Sequence, residues 1–183
     1  VAAAAPVPAA APIPSQAWFA IVGISLLTLA QAMMFSFIER IGVDRYGNDA
    51  VVAVLIGVGV VNLLPGPLAA LLQHRLRADR VALVGPLLHA TAALLLTQQP
   101  GYGVYAVTAA SFVAIVVFTH TFLFGLLARL DPTGRAVSAT PAMMMIGSCA
   151  GPILAGTVVV RFGYGALGLA VACVGVLSAL LFS

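Results

Sequence analysis

The chain has 183 residues, of which 62% are hydrophobic and 7% charged, with a mean hydropathy of +1.15. A soluble domain is about 25% charged, so this composition excludes an ordinary water-soluble globule and points to a membrane protein. The net charge of +3 and the pI near 9.3 do not indicate a nucleic-acid partner: all eight basic residues are Arg, scattered among short polar stretches with no basic stripe or interleaved aromatics.

Residues 1–14, VAAAAPVPAAAPIP, are rich in Ala and Pro. Their four prolines forbid a continuous helix and favour an extended, semi-rigid linker at the surface. The chain starts with Val1 and is read as a piece of something longer; no basic n-region precedes the apolar part, so no signal peptide is read.

Six apolar segments follow, at about residues 17–38, 50–72, 81–97, 102–128, 136–160 and 166–182. Each is near the ~17–25 residues that cross a hydrocarbon core of about 30 Å; the fourth is long enough to need tilt. They are continuous apolar runs, not the alternating ~10-residue segments of a β-barrel. The expectation is an all-α, polytopic membrane protein with six transmembrane helices over residues 15–183. Trp18 and Phe19 suit an interface anchor.

All 13 formal charges fall between these segments. Glu39, Arg40, Asp44, Arg45 and Asp49 are assigned to the first loop, and Arg75, Arg77, Asp79 and Arg80 to the second. The third loop, QQPG, has none; Arg129, Asp131 and Arg135 belong to the fourth and Arg161 to the fifth. Loops two and four carry five Arg against three on the other side, which puts both termini in the cytoplasm by the positive-inside rule.

The densest local pattern runs from Leu130 to Gly156. A turn, Asp131-Pro132-Thr133-Gly134, leads through Arg135 into an uncharged span. Gly147, Gly151 and Ala155 recur every fourth residue and so share one helix face, where small side chains let two backbones approach closely in lipid. Pro152 removes the hydrogen bond to the Ser148 carbonyl and should bend that helix. Such a helix either belongs to a bundle whose members rock against one another or is simply closely packed.

Polar residues inside spans are candidate site residues. Asn62 lies mid-span in the second segment, where an amide faces protein or a water-filled cavity; it either contacts substrate or bonds a neighbouring helix. Pro65-Gly66-Pro67 should break or kink that segment, as in broken transporter helices. Gln31 and Ser36 sit in the first segment, His89 in the third and His120 in the fourth. A membrane His either satisfies itself with a neighbour or carries a coupling proton.

Enzyme signatures are missing. There is no HExxH, no GxxxxGK[ST], and no His C-terminal to Ser148 to suggest a Ser/His pair. No charge ring or carbonyl filter marks a channel. Cys149 and Cys173 lack CxxC spacing and read as buried, inert thiols in apolar segments. The chain is therefore expected to be no enzyme and to need no metal or cofactor.

These pieces together resemble the carboxy-terminal six-helix half of a major facilitator superfamily (MFS) transporter. Gly66-Pro67-Leu68-Ala69 with Arg75 is similar to the family's cytoplasmic loop motif, roughly G-x-L-A-D-R-x-G-R-R; Ala70 stands where the family has its acid. Gly134-Arg135 followed by Gly147-Ser-Cys-Ala-Gly151-Pro152-Ile-Leu-Ala-Gly156 looks like its penultimate helix, and Phe162-Gly163-Tyr164-Gly165 like the turn into the last. The resemblance implies half of a 12-helix bundle, built from inverted three-helix repeats, with the missing amino-terminal half as partner.

By the same resemblance, a small-molecule solute, and a coupling proton if there is one, would bind at the midplane between the halves. Gln31, Asn62 and His120 would line the cavity in preference to His89, while Pro65, Gly66, Gly147, Gly151, Pro152 and Gly156 would serve packing or hinging. The expected location is a bacterial inner membrane. A non-transporting scaffold, whose small-residue faces bind partner helices, is the competing expectation.

Overall fold

A computed structural model describes residues 12–98 and 101–183. Residues 1–11 of the Ala/Pro-rich stretch and Gln99-Pro100 of the third loop lie outside the described residues. Within them the chain is all-helical: α1 (Ser15–Tyr46), α2 (Asn48–Val61), α3 (Pro65–Leu72), α4 (Ala78–Gln98), α5 (Tyr102–Leu130) and α6 (Arg135–Leu180). Five helices are long and apolar enough to cross a membrane, α2 and α3 counting as one interrupted span over Asn48–Leu72. The molecule is thus built as an integral membrane protein.

The helices run beyond the apolar segments. Glu39, Arg40, Asp44 and Arg45 are on the last turns of α1, Asp49 opens α2, Asp79 and Arg80 open α4, Arg129 closes α5, Arg135 opens α6 and Arg161 lies within it. Their assignment to loops is corrected: polar turns at a helix end still make backbone hydrogen bonds while their charges reach water. Asp131, Arg75 and Arg77 remain in connections.

The second segment does break. Pro65 has no N–H to return to Val61, so α2 ends there and α3 begins with Pro65 in its first turn. Between them Leu63 and Leu64 make tighter bonds to Val60 and Val61.

α6 is one run of hydrogen-bonded turns interrupted at Gly163, whose φ of 79° and ψ of −179° are not helical. The contacts reverse there. Before it, Gly147 lies against Ser25 and Leu29, and Gly151 against Ala32 and Met33, so this half runs parallel to α1. After it, Tyr164 donates a hydrogen bond to Asp44 while Ser178 donates one to the Gly23 carbonyl, so this half runs antiparallel to α1. Gly165 beside Gln98, Gly168 beside Thr97 and Gly175 beside Ala90 set the same half antiparallel to α4.

α1 is the central helix. Ile21, Ile24, Leu27, Ala30, Met34, Ile38 and Ile41 are all buried, covering more than one face. It packs against both halves of α6, α5, α2 and α4. Two tyrosines and an arginine tie the end of the bundle near Tyr46. Tyr105 donates to the Ile38 carbonyl at 2.9 Å and Tyr102 to the Ala50 carbonyl at 3.2 Å. Arg45 donates to the Leu96 and Thr97 carbonyls at 3.1 and 2.7 Å, satisfying acceptors that the end of α4 leaves open.

Candidate functional site

The intramembrane polar residues occupy different places. His120 is buried where α5 crosses α1. The Thr28 hydroxyl lies 3.0 Å from the Ile24 carbonyl, to which it can donate, and 3.4 Å from His120 Nε2, where the ring's tautomer decides which group donates. The ring also stacks on Phe124, with centroids 5.8 Å apart. Gln31 is half-buried, three residues further along α1 from Thr28. Asn62 caps the end of α2, and its side-chain carbonyl is buried without a hydrogen-bond partner among the described residues. No hydrogen bond joins Gln31, Asn62 and His120 to one another among the described residues.

His89, the residue given less weight by the sequence, is fully buried in the bundle. It is 0% exposed, neither ring nitrogen has a hydrogen-bond partner among the described residues, and its ring centroid lies 4.1 Å from that of Phe112.

The small-residue face of α6 meets α1 directly. A Cβ placed on Gly147 would lie 2.8 Å from the Ser25 carbonyl oxygen, and one on Gly151 would lie 3.0 Å from the Met33 nitrogen. Ala155 continues this face and is fully buried. Among the described residues nothing lies within 4 Å of a Cβ on Gly156; Pro152 is exposed, and Cys149 and Cys173 are exposed too, which corrects their reading as buried thiols. Gly66 likewise has open space around it, and Pro65 beside it is buried.

Gly66 instead borders a cleft of about 680 Å³ between α3, the start of α4 and the end of α5. Gln73, Arg77, Asp79, Thr121 and Arg129 supply its polar lining. Arg77 forks onto Asp79 at 2.9 and 3.2 Å. Arg75 and His74 are exposed in the connection beyond it.

At the entrance to α6, where Gly134 holds the cap position, the Asp131 carboxylate reaches forward to the first turn. It accepts from the Thr133 hydroxyl at 2.6 Å, the Thr133 N–H at 3.1 Å and the Ala136 N–H at 2.8 Å. The Thr133 hydroxyl first, then the Ala136 N–H, hold its pKa below the usual carboxylate value. Arg135 starts the helix immediately after. Among the described residues no three His, Cys, Asp or Glu side chains gather into a metal-binding group.

Arg45, Tyr105 and Tyr164 carry no local sequence signal, because their partners lie more than 50 residues away in the chain. Comparison with models of known families, with curated proteins and with solved structures returns no match.

Proposed function

We propose that the chain is one six-span half of a secondary transporter of the MFS type, with α6 crossing twice and Gly163 as its turn. The arrangement of helix contacts carries this reading. α1 packs on the first half of α6 as α5 packs on α2, and α1 packs on the second half of α6 as α5 packs on α4. Exchanging α1, α2–α3 and α4 for α5 and the two halves of α6 therefore reproduces the pairings. Since α1 and α5 run in opposite directions, this is the pattern of inverted three-helix repeats.

The exposed surface supports a partner half. α2 leaves Val52, Ile56 and Val60 uncovered, Leu63 follows them in the break, and the first half of α6 leaves Met145, Ile146, Ile153 and Val160 uncovered. These two elements are exchanged by the same pairing. In this reading Gln31, Asn62 and His120 serve a small solute, with a proton as coupling ion. Both termini lie in a bacterial cytoplasm with Arg75 and Arg135 on the same side, and the chain performs no catalysis. The scaffold reading is weaker because Gly147 and Gly151 are already spent on α1 and are not free for another protein.

A gradient-driven flux assay on the full-length protein in proteoliposomes, across a broad solute panel, tests the proposal. Accumulation that collapses with the gradient is expected; no gradient-dependent movement of any solute overturns it. Cysteine-accessibility mapping that found residues 73–77 outside would overturn the orientation.

A further inference from the structure

A second concavity lies on the other side of α3, and nothing in the transport reading uses it. It has a volume of about 470 Å³ and sits between α3, α4 and α5. Small residues make its floor: Gly85 stands directly against Thr119, and Ala114 lies beside them. Leu64 and Leu68 form one wall, Val84 and Leu88 the other, and these four are exposed. The floor offers no free polar group, because Ser111 and Thr119 donate their hydroxyl protons to the Val107 and Ile115 carbonyls of their own helix, each at 2.7 Å. From Arg80 to Leu88 the groove follows α4 for about 12 Å, at about 1.5 Å per residue.

One end of this apolar slot is cationic. Arg80 lines its mouth, at the charged end of α4. The only acid close by in sequence, Asp79, is held by Arg77, and the Arg80 guanidinium has no partner among the described residues. An uncharged slot running into the bilayer from an unpaired arginine at its edge complements a molecule with an acyl chain and an anionic head. Cationic pockets between membrane helices recognise such lipids.

We infer that the groove between α3, α4 and α5 holds one acyl chain of an anionic phospholipid whose headgroup phosphate pairs with Arg80. The site rests on the membrane-spanning reading and not on transport. The lipid would pack α3 against α4 across the break at Asn62–Leu64, where the protein alone leaves the wall open.

The test is native mass spectrometry of the full-length, delipidated protein in detergent, titrated with phosphatidylglycerol or with phosphatidylcholine of the same chains. Retention of one phosphatidylglycerol about fivefold tighter than phosphatidylcholine is expected, the worth of one cationic contact. Arg80→Gln brings the two lipids level. Ala114→Phe fills the floor and weakens both; Val84→Trp, on an exposed wall where the fold is not at risk, does the same. Leu154→Phe, on the exposed face of α6, changes neither. Equal retention of the two lipids by the unsubstituted protein, or a phosphatidylglycerol preference that survives Arg80→Gln, overturns the site. Failure of the flux assay would leave this result standing.

Discussion

Gly151 lies so close to Ala32 that a Cβ on it would stand 2.6 Å from the Ala32 methyl carbon. One turn earlier, the neighbour of Gly147 is the Ser25 carbonyl oxygen, a backbone atom that no rotamer change can move. Gly147→Ala should therefore destabilise the bundle by about 1–3 kcal/mol through overpacking, although Ala is the better helix former. Gly151→Leu should separate α1 from α6 and abolish transport while the protein still inserts. Gly156→Ala meets open space and should be neutral or stabilising by up to about 1 kcal/mol. Thermal unfolding of the variants in one detergent decides this; equal stability of Gly147→Ala and Gly156→Ala would sink the packing argument.

The contrast between those glycines shows what the sequence could reveal. A spacing of four residues identifies a face, and Gly147, Gly151 and Ala155 do share one, but spacing does not say which helix meets it. Gly156 belongs to the same run of letters and points away. Apolar run length located five spanning helices and not the expected six, because the segments at 136–160 and 166–182 fall within the single run of α6, and the missing N–H of Pro65 located the break in the second. The charges at the end of α1 were misassigned because charge marks where water begins, not where the helix stops. The Arg45 and Tyr105 contacts depend on the fold of distant segments, which no local pattern encodes.

Gly163 isolates backbone strain from packing. Its φ of 79° with ψ of −179° is a region essentially reserved for glycine, and no atom of the described residues lies within 4 Å of where a Cβ would be. Gly163→Ala should cost about 1–3 kcal/mol from conformation alone. Gly165→Ala, two residues on, meets only Gln98 at ordinary contact distance and should change little. Comparing the two melting temperatures is sufficient; a harmless Gly163→Ala would mean that the reversal at this residue needs no positive φ.

Asp131 gives the bundle an acid-sensitive joint. Bonds from Thr133 and Ala136 lower its folded pKa, so it releases its proton more readily folded than unfolded. The stabilisation is fully present above the unfolded value, about 3.9, and is lost as pH falls through the lower folded value. Unfolding midpoints measured between neutral pH and about 3 should fall, and the fall should be shallower in Asp131→Asn, which cannot titrate. Parallel curves for the two proteins would remove Asp131 as the source.

Thr28 and Asn62 separate structural from ligand-facing polarity. Thr28→Ala removes the hydroxyl 3.4 Å from the buried His120 Nε2 and should cost about 0.5–1.5 kcal/mol in stability, the net worth of one hydrogen bond, because the Ile24 carbonyl stays beside the ring. Asn62 offers a carbonyl that no group among the described residues satisfies, so Asn62→Ala breaks no hydrogen bond of that oxygen there and should leave the melting temperature near that of the parent. If this oxygen is kept for a transported solute, Asn62→Ala should instead raise the half-saturation concentration about tenfold, the worth of one buried hydrogen bond. Flux measured against substrate concentration on full-length variants reads that shift directly. An unchanged half-saturation with a lowered melting temperature would make Asn62 a residue of the helix break and strike it from the cavity.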